Sequence, residues 1–222
     1  MSDNARLAAR GNEESDLILS VTPTIAVKKD GARLKVRGSY SPWLITYVSG
    51  TGSNSVANTL NSIANLEAID NFMYVDARAN IFQSFLSPFG AQPADYGTAT
   101  SNRTEVTSLG LSPYIRGRLR NGSQYTLRDD VNYTTFSSGN RPDLMSNAVI
   151  AAWNGVGERL IVPSVEYNRN TTKFGVQPAF LSELARARAT LNVDPELQVF
   201  ASGGYENTVS YTHLTLPTNR EV

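Results

Sequence analysis

The sequence predicts an all-β protein with the fold of an antiparallel, up-and-down transmembrane β-barrel. The barrel is predicted to be partial, with about ten strands, and the sequence does not determine whether its sheet closes. Three observations predict this fold class. Apolar and polar residues alternate with a period of two over segments of roughly 10 to 15 residues, longer than the strands usual in globular sheets. Short turns alternate with longer polar loops. Charged residues stand in mid-strand on the polar parity, as in strands with one lipid face and one wet face.

The first two predicted strands lie before residue 49. Apolar side chains alternate with polar ones from Leu17 to Val27 and again from Leu34 to Leu44, with the turn Lys29-Asp30-Gly31 between the two runs. The Gly-, Ser- and Asn-rich segment from Ser49 to Ser55 predicts a flexible loop.

The next two strands repeat this arrangement. Alternation runs from Leu60 to Ala68, passes a tight Asp70-Asn71 turn and continues from Met73 to Ile81. A long loop follows, from about Leu86 to Arg103, and it carries two prolines and two glycines.

A hairpin is predicted beyond this loop. Its strands run from Leu109 to Arg118 and from Tyr125 to Tyr133, and Asn121-Gly122 between them is a strong hairpin signal. The next segment, from Met145 to Trp153, is apolar on both parities, so its pattern is the least decisive.

The last three predicted strands follow the turn Gly155-Val156-Gly157. They run from Ile161 to Tyr167, from Ala185 to Leu191 and, after the turn Asp194-Pro195, from Leu197 to Tyr205. Because backbone groups in lipid must pair internally, a sheet of this kind is expected to close in the complete protein.

The polar parity of these strands carries a mainly basic set of charged residues. It predicts either a lumenal ladder along the path of an anionic polymer, since cationic rings select anions, or an interior filled by cross-strand ion pairs. The ion pairs would use Glu67, Asp76, Asp130 and Glu166. The predicted ladder consists of Arg33, Lys35, Arg37, Asp76, Arg78, Arg116, Arg118, Arg128, Asp130, Arg186 and Arg188.

Many aromatic residues stand near predicted strand ends. We interpret them as girdles at the two membrane interfaces, although aromatic residues favour strands in any sheet. The predicted interfacial aromatics are Tyr40, Trp43, Tyr47, Phe72, Tyr74, Phe85, Tyr125, Tyr133, Trp153 and Tyr167, and Tyr114 and Phe136 follow the same pattern.

Asp129 is an exception, because it has the parity of apolar residues. A charge on the lipid side is costly at mid-depth, so the sequence predicts either a position near an interface or a bulge that shifts the register.

The sequence predicts no enzyme and no cofactor or metal site. It has no cysteine and one histidine, which excludes thiolate sites and metal-binding histidine pairs. A barrel hydrolase needs an activated serine, and His213 is the only histidine that could act as its base. Lysine and arginine total 20, as do aspartate and glutamate, and there is no basic run, so a nucleic-acid partner is not expected.

Both ends of the chain are predicted to be interrupted. Residues 1–15 form a polar segment without the apolar core of a signal peptide, which we interpret as a truncated N-terminus. Residues 209–222 look like one reading frame of a sequencing adapter, which would remove His213 from the protein. Residues 16–208 are the predicted partial barrel.

Short motifs between Asp16 and Asn207 resemble a family of outer-membrane β-barrel proteins associated with the PEP-CTERM/exosortase system. The motifs are Gly31-Ala32-Arg33-Leu34 through Tyr40, the segment around Phe89-Gly90, Asn102-Arg103-Thr104 leading to Ser112-Pro113-Tyr114, and Gly204-Tyr205-Glu206-Asn207. The resemblance implies export to the Gram-negative outer membrane and a role in polysaccharide secretion or cell-surface assembly, and it assigns no catalytic residue. This chain departs from the family by lacking the signal peptide, the first strand or so and the C-terminal half.

We therefore expect a non-enzymatic outer-membrane barrel associated with exopolysaccharide export or cell-envelope assembly. Its expected partners are outer-membrane lipid and exopolysaccharide or other envelope proteins. One alternative is a structural or adhesive barrel whose external loops, above all residues 86–103, bind a partner. The other is a soluble carbohydrate-binding β-sandwich, which would place Leu34, Val75, Leu127 and Val199 in a dry interior between two sheets.

Overall fold

A computed structural model of the chain describes residues 4–5, 9–98, 100–138, 141–157, 160–194 and 196–210. These residues form eleven β-strands and contain no helix. The strands are β1 (Ile18–Val21), β2 (Ile25–Asp30), β3 (Leu34–Tyr47), β4 (Ser55–Ile69), β5 (Met73–Phe85), β6 (Arg103–Arg118), β7 (Gln124–Phe136), β8 (Leu144–Asn154), β9 (Ile161–Phe174), β10 (Phe180–Asn192) and β11 (Gln198–Ser210).

The strands form one antiparallel, up-and-down sheet. Their order is β1-β3-β4-β5-β6-β7-β8-β9-β10-β11, and β2 also pairs with β3. In the part of the chain that the structure describes, β1 and β11 end the sheet and leave it unclosed. The predicted fold class is confirmed: the protein is all-β, with the architecture of a partial β-barrel.

None of the described residues belongs to a helix long and apolar enough to cross a bilayer.

The structure has two strands where the sequence predicts one from Leu17 to Val27. Both β1 and β2 pair with β3 in a single register, so they are two parts of one ladder. The gap between them sets Pro23 opposite Pro42, and neither proline has an N–H to donate across it. A 2.8 Å hydrogen bond between the hydroxyls of Thr24 and Ser41 holds the two strands together beside the gap.

Two predicted turns are confirmed by their backbone conformation. Asn71 has a φ of 52° and Gly122 a φ of 86°, the left-handed region that asparagine and glycine tolerate best. The second turn is closed by the Gly122 N–H, which donates to the Leu119 carbonyl at 2.9 Å, and by the Leu119 N–H, which donates to the Ser123 carbonyl at 2.7 Å.

The chain divides into two compact units. Unit 1 comprises Met1–Ala68, Tyr74–Leu111 and Tyr133–Asp143, and unit 2 comprises Ile69–Met73, Ser112–Asn132 and Leu144–Val222.

Each unit has an apolar and a polar face because paired residues lie on the same side of a sheet. In unit 1, Leu34 of β3 pairs with Leu66 of β4 on the apolar face, and Lys35 pairs with Asn65 on the polar face. In unit 2, Ala185 of β10 pairs with both Tyr167 and Tyr205 on the apolar face. On its polar face, Arg186 pairs with Glu166 and Gly204.

Few apolar side chains are buried. Among the described residues, the buried hydrophobic ones are Ala5, Ile45, Tyr47, Ala57 and Val106. In contrast, Leu127 and Val199 are 47% and 52% exposed, and Leu34 and Val75 are only half-buried. None of these four residues is buried, whereas a β-sandwich would place them in a dry interior.

The two predicted terminal segments are described only in part. Within residues 1–15, Ala5 is fully buried and its N–H donates to the Glu14 carbonyl at 2.9 Å. At the other end, β11 continues to Ser210, two residues past the predicted boundary at 208, and pairs with the start of β10. Residues 211–222, and with them His213 and most of the predicted adapter segment, lie outside the described residues.

Candidate functional site

The ladder residues of β3 lie beside an acidic partner. Arg37 Nη2 is 3.4 Å from Asp30 Oδ1, and Lys28 Nζ is 3.3 Å from Asp30 Oδ2. Lys35 pairs directly with Asp30 across β2 and β3. These side chains are well exposed, so each pair contributes little to stability, but they lower the net positive charge of this part of the polar face.

The other ladder residues of unit 1 are Arg33, Asp76 and Arg78. Asp76 accepts a 2.8 Å hydrogen bond from the side-chain amide of Asn65, which is a polar-face contact. Arg33 precedes β3, Arg78 lies in β5, and both are exposed.

In unit 2, the ladder residues Arg128 and Asp130 form the closest described ion pair. Arg128 Nε lies 2.7 Å from Asp130 Oδ1, and each side chain is 22% exposed. The guanidinium also lies 5.0 Å from the centre of the Tyr114 ring, within the range of a cation–π contact. Both charges of this pair are therefore engaged within the unit.

The remaining ladder residues of unit 2 are Arg116, Arg118, Arg186 and Arg188. Arg186 stands directly opposite Glu166, and the Arg188 guanidinium lies 4.8 Å from the centre of the Phe200 ring. Arg116 and Arg118 are exposed residues of β6. Of the four acidic residues named for the ion-pair interpretation, Asp130 has a described ion pair, and both interpretations of the ladder stay predictions.

Three of the predicted interfacial aromatics share one geometry. The tyrosine hydroxyls donate to Asn58 Oδ1 at 2.8 Å, Asp143 Oδ2 at 2.7 Å and Glu183 Oε1 at 2.9 Å. The donors, in the same order, are Tyr40, Tyr133 and Tyr167. Each acceptor stands nearer than its donor to the loop that joins β3 to β4, β7 to β8 or β9 to β10, so the polar tip of each ring is directed towards a loop. Each ring itself lies on the apolar parity.

A polar row follows the tyrosine row in unit 2. Tyr167, Ala185 and Tyr205 pair across β9, β10 and β11, and the next row on the same face is Arg169, Glu183 and Asn207. Arg169 Nε lies 3.9 Å from Glu183 Oε1. The apolar face of unit 2 therefore changes from apolar to polar within two residues along these three strands, and the polar residues of β9 and β10 are charged.

Trp43 and Tyr47 occupy a different position, on the polar face of unit 1. The Trp43 ring meets the Tyr96 ring edge-on, with centroids 5.0 Å apart. Tyr47 is buried, and its hydroxyl donates to the Gly97 carbonyl at 2.6 Å. Both residues thus contact the loop between β5 and β6, residues 86–102, which we call the β5–β6 loop.

Four of the remaining aromatics lie at the turn ends of their strands, and Phe85 ends β5 at its long-loop end. Trp153 Nε1 donates to Ser123 Oγ at 3.1 Å and so fixes the 119–123 turn. The Tyr125 ring covers Gly117, where an added Cβ would come within 2.5 Å of the phenol oxygen. Phe72 adjoins the Asn71 turn and Tyr74 stands near the start of β5. An interfacial role for these residues stays a prediction.

Side chains organise the β5–β6 loop from within. The Asn102 amide receives the Ser87 N–H at 2.8 Å and donates to the carbonyls of Ser87 at 2.9 Å and Ala91 at 3.1 Å. Gly90 packs directly on this amide, where a Cβ would lie 2.5 Å from Asn102 Cγ. The loop is therefore closed on itself around one side chain.

Arg103 fastens the second half of the loop. Its guanidinium donates to the carbonyls of Tyr96 at 3.0 Å and Asp95 at 2.6 Å, and it lies 5.2 Å from the centre of the Tyr96 ring. Asp95 in turn accepts the Thr98 N–H at 2.7 Å. These bonds hold Tyr96 against Trp43.

Asp16 fastens the neighbouring β3–β4 loop, residues 48–54. Its carboxylate accepts the Thr51 hydroxyl at 2.6 Å and the N–H groups of Ser49 at 2.8 Å and Thr51 at 3.1 Å. The hydrogen bond from the Thr51 hydroxyl has the largest effect on the pKa of Asp16, and the two backbone donors add to it. Together they outweigh desolvation and lower this pKa from 3.8 to about 2. Asp16 is therefore ionised wherever the protein is near neutral pH.

A cavity of about 830 Å³ lies among these two loops and the adjoining strand ends of unit 1. Its lining combines neutral polar residues with apolar ones, and the apolar aliphatic residues are Ile45, Val56, Ala57 and Ala91. The hydroxyl-bearing lining residues are Ser53, Ser55, Thr98, Thr100, Ser101 and Ser137, and the amide-bearing ones are Asn58 and Gln83. Tyr47 and Tyr96 contribute aromatic rings, and Arg103 and Glu105 one charge of each sign.

Glu105 bridges two strands within this cavity. Its Oε2 accepts the Asn58 backbone N–H at 3.1 Å, the Asn58 side-chain amide at 3.0 Å and the Gln83 side-chain amide at 3.0 Å. The Gln83 amide also donates to the Asn58 carbonyl at 3.3 Å. Side chains thus bind both backbone groups of Asn58, which lines the cavity where β4 begins.

Comparison of the chain with family models, with curated proteins and with solved structures found no match.

Sequence reasoning identified the β5–β6 loop but not the residues that build the cavity. The sequence analysis did not predict Asp16, Tyr96 and Glu105 as part of the site. Alternation identifies the two faces of a strand, but it gives no information about side chains that bond across loops. One signal was present: Trp43 and Tyr47 share the parity of Lys35 and Arg37, so a contact away from the apolar face could have been predicted.

Proposed function

We propose that this chain is part of a non-enzymatic β-barrel of the bacterial outer membrane that serves exopolysaccharide export or cell-envelope assembly. The observation that carries the proposal is the exposure of alternate apolar side chains along long antiparallel strands. Examples are Leu111, Leu127 and Val199, each about half exposed. Removing the exposed half of one such side chain from water is worth roughly 1 kcal/mol, so lipid is the natural solvent for this face.

The tyrosine geometry supports the membrane part of the proposal. Tyr40, Tyr133 and Tyr167 have their rings on the apolar parity and their hydroxyls bonded towards the loops. Rings at a membrane interface have this orientation, with the body in hydrocarbon and the tip at the headgroups. In unit 2, the row of Arg169, Glu183 and Asn207 would then stand in the headgroup region.

The role in export or assembly is supported by the resemblance to the PEP-CTERM/exosortase-associated barrels, including the localisation that it implies. A structural or adhesive barrel is the second candidate. One observation favours it: the β5–β6 loop is held by Asn102 and Arg103 in one conformation, and a pre-organised loop loses less entropy when it binds a partner.

Membrane insertion can be tested with the two tryptophans of the chain. The Trp43→Phe variant, refolded into phosphatidylcholine vesicles, leaves Trp153 as the sole fluorophore, and brominated acyl chains should quench it. The matched control is Trp153→Phe, whose remaining Trp43 lies on the polar face beneath Tyr96 and should be quenched much less. A chain that is monomeric without detergent and quenched in neither variant would refute the proposal.

The role in export is tested separately in the native host. Deletion of the gene should lower the amount of polysaccharide at the cell surface and raise the amount retained in the periplasm. Unchanged surface polysaccharide together with lost cell-to-surface attachment would favour the adhesive barrel instead.

A further inference from the structure

We infer that the cavity of unit 1 is a binding site for an uncharged oligosaccharide. The inference deepens the proposed function, on which it rests for the idea that this end of the sheet meets an exported glycan. It names the ligand class and the site, and both follow from the walls of the cavity.

The size of the cavity fits a small ligand with several functional groups. Its volume of about 830 Å³ lies within the range of pockets that enclose small organic molecules, roughly 300–1,000 Å³. The cavity is widely open to solvent, which suits a segment of a longer chain better than an isolated metabolite.

The charges of the cavity are already engaged by the protein. Glu105 accepts three hydrogen bonds from Asn58 and Gln83, and Arg103 donates to the carbonyls of Asp95 and Tyr96. A charged ligand would compete with these bonds, and the two opposite charges give no net attraction to ligands of either sign. The site therefore favours a ligand without charge.

The other polar groups of the wall match a polyol. The hydroxyls of Ser53, Ser101 and Ser137 can each donate one hydrogen bond and accept others, as sugar hydroxyls do. The half-buried ring of Tyr96 supplies apolar surface with a polar edge, which complements a sugar ring that has apolar faces and a polar rim.

Internal contacts hold the framework of the site. Asn102 closes the β5–β6 loop, Asp16 closes the β3–β4 loop, and Trp43 supports Tyr96 from the polar face. Pre-organisation of this kind removes part of the entropy cost of binding.

The test is calorimetric titration of the detergent-refolded chain with cellohexaose, chitohexaose and the hexamer of galacturonic acid. At least one of the two neutral probes should bind. Ser53→Trp and Ser101→Trp, which place a ring in the cavity from two different loops, should each weaken that binding about tenfold or more. The control Val48→Trp stands on the same loop as Ser53, but its exposed side chain lies outside the lining, and its affinity should stay within about twofold of the parent.

Three results would overturn the inference: no binding of either neutral probe, binding of the acidic hexamer alone, or equal affinities in parent and both cavity variants. Circular dichroism of each variant establishes that it is folded, and two cavity variants protect the test against the failure of one. The tryptophan quenching experiment reports on membrane insertion independently, so a chain that inserts without binding glycan would refute this inference alone.

Discussion

Tyr167 donates its hydroxyl hydrogen to Glu183 Oε1 at 2.9 Å across β9 and β10, with Arg169 Nε 3.9 Å from the same oxygen. This relationship joins an apolar-face aromatic to the first charged row of unit 2. It predicts that the hydroxyl, and not only the ring, stabilises the protein.

Tyr167→Phe should lower the free energy of unfolding by about 0.5–1.5 kcal/mol, because one hydrogen bond to an ionised acceptor is lost while the ring remains. Urea unfolding of the vesicle-inserted chain, followed by fluorescence, measures the change. The control is Tyr205→Phe on β11, which lies on the other side of β10. The Tyr205 hydroxyl makes no hydrogen bond within the described residues. Equal losses in the two variants would contradict the prediction.

Asp16 should make stability depend on pH in the acid range. Its pKa is lowered to about 2 in the folded protein, so the ionised form is the one that stabilises the β3–β4 loop. This stabilisation is fully present above the unfolded pKa of 3.8 and is lost as the pH falls through about 2.

The variant Asp16→Asn should therefore have a lower urea midpoint than the parent at about pH 7, and the two midpoints should converge between about pH 4 and pH 2. Asp95→Asn is a comparison at a loop carboxylate that bonds only Thr98 within the described residues. A gap between Asp16→Asn and the parent that persists unchanged at the lowest pH would contradict the assignment.

The strands could be predicted because alternation with a period of two is a local property of the sequence. The runs from Leu34 to Leu44 and from Ala185 to Leu191 both lie within observed strands, and the Asn121-Gly122 turn adopts the backbone that its residues favour. The break between β1 and β2 at Pro23 was not predicted, because it depends on Pro42 lying opposite in β3. Which residues lie opposite each other is set by the strand register, and alternation along one strand does not reveal the register.

The cavity could not be predicted for a related reason. Glu105 and Asn58 are 47 residues apart and meet only when β4 and β6 are set beside β5. Trp43 and Tyr96 meet because the loop folds over the polar face, a tertiary contact with no periodic signature.

Gly122→Ala should destabilise unit 2 by about 1 kcal/mol or more, because alanine at a φ of 86° is strained. The reduced stability should appear as a lower thermal midpoint of the vesicle-inserted chain, with the turn 119–123 the first to lose amide protection. Gly157→Ala is the matched control in another turn, where no atom lies within 4 Å of the added methyl and φ is not positive. An unchanged midpoint for Gly122→Ala would show that this turn tolerates another conformation.

Asp129 is the residue for which the sequence predicts either an interfacial position or a bulge. In the structure it forms a polar pair with Asn147. Asn147 Nδ2 donates to Asp129 Oδ1 at 2.5 Å, and Leu127, Val149 and Pro113 line a shallow apolar pocket beside Asp129. The carboxylate thus has a partner within unit 2, although its surroundings are apolar.

If this face lies in lipid, the single variants should lower the free energy of unfolding and the double variant should not. Asp129→Leu leaves the Asn147 amide without its acceptor, and Asn147→Leu leaves a charge without its donor, so each should cost about 1–3 kcal/mol. The double variant should be neutral or more stable than the parent, because the apolar pair is better solvated by acyl chains than the polar pair is. Urea unfolding in vesicles, run as a double-mutant cycle, measures this coupling. A double variant less stable than both single variants would mean that this face meets water or a polar partner instead of lipid.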